Sequence, residues 1–148
     1  MGVFDEVDLD STYEEETFGP QEGFAGVLLG ASACDGHIAD EEVQSLMTTV
    51  SRMKLYSRVP GHKFSNMMDR LTRLLKKGGP EMILDKCAPV VPPELRQTVF
   101  ANAIDIVLAD GIVDDDEKEF IDNLQSRLEI EGGIAKRIVK VMIMKNKG

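Results

Sequence analysis

Tryptophan is absent from this 148-residue chain, aromatic residues make up only 5% of it, and cysteine occurs twice. With so few large rings, a core must be built from aliphatic side chains and the eight methionines. Two cysteines, Cys34 and Cys87, make neither a disulfide framework nor a zinc pattern, which fits a reduced, cytoplasmic setting. No apolar run approaches the roughly 18–20 residues that span a bilayer, so direct membrane insertion is not expected. The acidic opening, Met1 to Glu6, argues against a secretory signal. No phosphate-cradling glycine loop and no Ser-His-Asp order is present.

Negative charge is abundant. The formal net charge is −9, and eight acids without a single Lys or Arg fall in residues 1–22. The first 20 residues therefore read as an acidic flexible tail, either solvated or serving as an arm that shields a basic surface. Residues 21–148 form the folded domain, long enough to bury roughly 70% of its unfolded surface. Its charge is segregated. Arg52, Lys54, Arg58, Lys63, Arg70, Arg73, Lys76 and Lys77 face one acid, Asp69, in residues 52–77. Eight acids face Lys118 alone in residues 105–122. This predicts opposed basic and acidic surfaces, with Arg52, Lys54, Arg70, Arg73, Lys76 and Lys77 as a protein-interaction patch. Few exposed aromatics accompany these bases, so nucleic acid is not the expected partner.

No stretch alternates for long enough to make a strand. Apolar residues instead recur at helical spacing, as in Val43, Leu46, Met47 and Val50. The reading is all-α, with about seven helices over 21–34, 40–54, 62–77, 80–88, 93–109, 115–128 and 134–144. Gly23, Gly26 and Gly30 in the first helix each weaken it by about 1 kcal/mol relative to Ala, which is tolerable where they permit close helix packing. Met47, Met53, Met67, Met68, Met142 and Met144 are expected in the core.

One piece of grammar occurs twice. An apolar helix ends in Asp-Gly, an aliphatic residue follows, and an acidic helix start comes next. Cys34-Asp35-Gly36-His37-Ile38-Ala39-Asp40-Glu41-Glu42 matches Ala109-Asp110-Gly111-Ile112-Val113-Asp114-Asp115-Asp116-Glu117 at a distance of 75 residues. The fold is thus two pseudo-repeated helix–acidic turn–helix units. Each turn resembles the second half of an EF-hand loop, in which Asp precedes an obligatory Gly and a late Glu returns to the ion. The first half is missing, because Ala31, Ala33, Ile106 and Leu108 stand where the early ligands belong. One turn cannot cage a hard cation, but two brought together offer Asp35, Glu42, Asp110 and Glu117, with Asp40, Asp114 and Asp115 nearby. Oxygen ligands of this kind suit Ca²⁺, Mg²⁺ or Mn²⁺. The competing reading is helix capping. Asp114 and Glu117 have the spacing of a capping box, and the other late acids complement helix dipoles. Capping explains Asp35 and Asp110 less well, since both lie at the unfavourable C-terminal end of a helix.

The run Leu108 to Glu117 is similar to the pattern of the tellurite-resistance TerB family, and also to the N-terminal domain of some membrane-linked DnaJ-type co-chaperones. Ser32-Ala33-Cys34-Asp35-Gly36 is a looser copy, with Cys34 and Ala39 departing from the usual Ala and capping residue. This resemblance, covering roughly residues 20–145, implies a non-enzymatic cytoplasmic helical domain whose paired acidic turns take a divalent metal ion. It also implies partners among stress-resistance proteins, some of them membrane-associated. The sequence does not set the oligomeric state.

Overall fold

The computed structural model describes residues 18–35, 39–109 and 111–148. The acidic tail through residue 17, the turn residues Gly36, His37 and Ile38, and Asp110 lie outside the described residues. Among the described residues there are six α-helices and no strand: α1 (Pro20–Ser32), α2 (Asp40–Ser51), α3 (Gly61–Cys87), α4 (Arg96–Leu108), α5 (Asp115–Arg127) and α6 (Gly132–Lys145). None of them is long and apolar enough to cross a membrane. The seventh helix of the sequence reading is the second half of α3. Gly79 is non-helical at φ 81°, with Pro80 behind it, so the chain bends there and resumes without a separate turn. Two expected boundaries move. The helix of residues 40–54 stops at Ser51, and Lys54–Tyr56 form a 3₁₀ turn. The helix expected from residue 93 begins at Arg96, after a 3₁₀ turn over Pro93–Leu95.

Helix α1 is the hub. It is buried from Gly23 to Ala31 and packs most extensively on α3, then on α4. Its glycines make that possible. A Cβ on Gly26 would stand 2.2 Å from Cys87 Sγ, and one on Gly30 would stand 3.0 Å from Ile83 and 3.2 Å from the Phe120 ring. Side-chain-free positions thus let α3 and α5 lie directly against the α1 backbone. Pro20 opens the helix at a position where no amide hydrogen is needed. The Glu22 carboxylate accepts the Gly19 N–H at 3.0 Å.

Among the described residues the core is wholly apolar, centred on Leu28, Leu29, Met68, Leu71, Ile83, Phe100 and Leu124. Met67 and Met68 are buried as expected, but Met144 is 65% exposed. Helix α6 turns Ala135, Ile138, Val139 and Met142 inward, and Val141, Ile143 and Met144 lie off that face and are exposed.

Tyr56 ties the 3₁₀ turn to α1. Its ring packs edge-on against Phe24 and Phe64, and its buried hydroxyl donates to the Gln21 carbonyl at 2.7 Å. Tyr56→Phe leaves that carbonyl without its donor and is expected to cost about 1–2 kcal/mol. Urea unfolding should show a lower midpoint at unchanged slope.

Candidate functional site

Helices α1 and α4 pack on each other, and described residues at their C-terminal ends, Ser32, Cys34 and Asp35 from one and Ile106 and Ala109 from the other, line a common cleft. That cleft has a volume of about 320 Å³. Leu28, Ala31, Ser32, Cys34 and Asp35 line it from α1 and the turn that follows. Glu42, Ser45, Leu46 and Thr49 of α2, with Met53 just beyond, form a second wall. Asn102, Asp105, Ile106 and Ala109 come from α4 and its end, and Glu117 from α5. The lining combines apolar side chains with carboxylates from both repeats.

Three of the expected ligand residues, Asp35, Glu42 and Glu117, line this cleft. Asp114 is close enough to act on the Cys34 thiol, as Glu117 and Asp35 also do. Asp40 and Asp115 are exposed at the first positions of α2 and α5 and do not line the cleft. Asp110 lies outside the described residues, but Gly111 beside it has φ 79°, the left-handed bend that the turn requires of glycine. Among the described residues no three His, Cys, Asp or Glu side chains are grouped closely enough to hold a metal ion.

The two turns differ in capping. Asp114 accepts the Glu117 N–H at 2.9 Å, and Glu117 accepts the Asp114 N–H at 3.1 Å, so the expected capping box exists. At the first turn the N-cap is Ala39, which makes no side-chain cap. Glu42, the counterpart of Glu117, has no capping box to complete and stands in the cleft wall. A capping box therefore accounts for Asp114 and Glu117, whereas Glu42 has none and in the first turn of α2 complements only the helix dipole.

Sequence reasoning overlooked Asp105. It interrupts the apolar run of α4, lines the cleft, and accepts from Lys145 Nζ at 3.0 and 3.1 Å and from Asn146 Nδ2 at 2.8 Å. Its signal was an acid flanked by Ile104 and Ile106. Asn102 and Asp105 share a helix face at a spacing of three, which aims both at the cleft. Of the residues expected to form a basic patch, Arg52, Lys54, Arg73, Lys76 and Lys77 are exposed, whereas Arg70 is partly buried, 3.8 Å from Glu22 and 5.6 Å from the centre of the Phe18 ring. His62 is exposed and Cys87 is buried and free.

Burial first, and then the charges of Glu117, Asp35 and Asp114, push the Cys34 thiol up to about 12. Burial, with Glu22 adding to it, does the same to Cys87, also to about 12, and burial raises the Tyr56 phenol. A thiol released by unfolding titrates near 9.0. Between pH 9 and 12 the folded chain therefore holds more protons than the unfolded one, and stability falls as pH rises. The urea midpoint should be insensitive to these groups below about pH 9 and should drop steadily above it.

A family profile described as "Tellurite resistance protein TerB" matches residues 21–138, which contain all six helices up to the last turns of α6. No curated protein and no solved structure matches the chain. With both acidic turns and their flanking helices inside the match, the chain belongs to the TerB family of tellurite-resistance proteins.

Proposed function

We propose that the chain is a non-enzymatic helical domain of a tellurite- or stress-resistance system that binds one divalent cation between its paired acidic turns. The observation that carries this reading is that Asp35 and Glu117, from turns 75 residues apart in register, line the same cleft. Hard oxygen donors select Ca²⁺, Mg²⁺ or Mn²⁺ over thiophilic metals. Among the described residues no three ligands are grouped, so this reading calls on Asp110, the acid of the second turn that lies outside them, to add to Asp35 and Glu117. The C-terminal ends of α1 and α4 add their own partial negative charge. The ion would join the two repeats, since neither turn alone supplies enough oxygens. The working setting is the cytoplasm, and partners are other resistance proteins, including membrane-associated ones.

Calorimetric titration with Ca²⁺, Mg²⁺ and Mn²⁺ of the native chain and of an Asp110→Asn, Glu117→Gln variant tests this. One ion per chain should bind the native protein and none the variant. Identical titrations of the two proteins overturn the assignment.

A second reading rests on the exposed cations Arg52, Lys54, Arg73, Lys76 and Lys77. As an adaptor without metal, the domain would hold acidic partners through them. Such complexes would dissociate at high salt and ignore a chelator.

A further inference from the structure

A strip of positive charge runs along one flank of α3. Lys63, Arg70, Arg73 and Lys77 follow one another at seven, three and four residues, a spacing that keeps them on one side of a helix. Asp69, the one acid of α3 before its bend, offsets a single charge. The chain reaches α1 across the middle of this strip. Phe18 lies under the Arg70 guanidinium at 5.6 Å, and Glu22 is 3.8 Å from it. Immediately upstream come Asp5, Glu6, Asp8, Asp10, Glu14, Glu15 and Glu16, with no Lys or Arg among the first 22 residues. Four residues of chain span at most about 14 Å, so Glu14, Glu15 and Glu16 are tethered within that distance of Phe18. A tether so short would present three carboxylates to the cations at an effective concentration of about millimolar or more.

We infer that the acidic segment of residues 5–16 occupies the cationic strip of α3 in its own chain and competes there with outside acidic partners. The strip and the metal-binding turns share no residue, so this inference stands or falls independently of the metal reading. Charge complementarity favours this occupant, and the Phe18 and Glu22 contacts with Arg70 already bring the chain to the strip.

The test is a Glu14→Gln, Glu15→Gln, Glu16→Gln variant of the full chain, compared with the native protein by amide NMR at low salt. Resonances of the Lys63–Lys77 strip should shift, and native protein in about 0.5 M NaCl should show the same shifts. Affinity for heparin, used as a polyanionic probe, should rise about tenfold in the variant. Adding Arg73→Gln and Lys77→Gln should abolish the difference in heparin affinity between the native and the variant tail. Unchanged strip resonances with equal heparin affinity overturn the inference. So does a difference that grows with protein concentration, because the strip would then be filled by a second copy.

Discussion

Phe100→Ala should lower stability by about 3–5 kcal/mol, the cost of truncating a fully buried aromatic ring whose cavity cannot collapse. Phe100 is 1% exposed in the core and sits on α4, the helix whose Asn102, Asp105 and Ile106 line the cleft. A domain of this size loses about 3 °C of melting temperature for each kcal/mol, so the melt should fall by about 10–15 °C. The effect should reach the site as well. Asn102 and Asp105 belong to the same helix, and loosening α4 separates the second turn from the first. Chemical unfolding and ion titration of this variant should therefore weaken together.

Gly26→Val should be nearly as damaging, at about 3 kcal/mol, for the opposite reason. Valine is the better helix former, by a few tenths of a kcal/mol. That gain is outweighed because even the first carbon would lie 2.2 Å from Cys87 Sγ and 3.2 Å from Cys87 Cβ, and 3.4 Å from Leu71. Overpacking of a closed contact forces backbone shifts that cost about 1–3 kcal/mol, and two further methyl groups put valine at the upper end. The contact can be checked by a paired change. Gly26→Ala alone should destabilise, and Cys87→Ala in the same chain should recover part of the loss. Simple additivity of the two would mean that the contact is not the cause.

Much of this fold was legible because local chemistry and tertiary packing agree. Val43, Leu46 and Val50 mark the inward face of α2, and all three are buried. The glycines of α1 announced close approach, and Gly26 and Gly30 have neighbours where a Cβ would go. The Asp114 and Glu117 spacing gave the capping box. Helix ends decided by distant partners were not legible. Helix α2 gives way to a 3₁₀ turn where Tyr56 bonds to Gln21, 35 residues earlier, and no local signal encodes that bond. Met144 is exposed because it lies off the inward face of α6 that carries Ala135, Ile138 and Met142; its residue type pointed to the core and its register did not.

The site divides along the same line. The residue types and the repeat could be read directly, since Asp-Gly bends and late glutamates are local features. Their convergence could not, because it depends on α1 packing beside α4 across 75 residues of chain. Asp105 escaped for a related reason. Its place in the cleft follows from helix orientation, and its partners Lys145 and Asn146 are 40 and 41 residues away.

The claim on which the functional reading rests is that both turns grip one ion. A ligand that binds only the folded state at about a hundred times its dissociation constant adds about 2.7 kcal/mol. Melting of the chelator-treated protein should therefore rise by about 5–10 °C on adding saturating Ca²⁺, Mg²⁺ or Mn²⁺. The rise should vanish in both Asp35→Asn and Asp110→Asn, one from each turn. A melting temperature indifferent to all three ions, or a rise that survives loss of either turn, would contradict it.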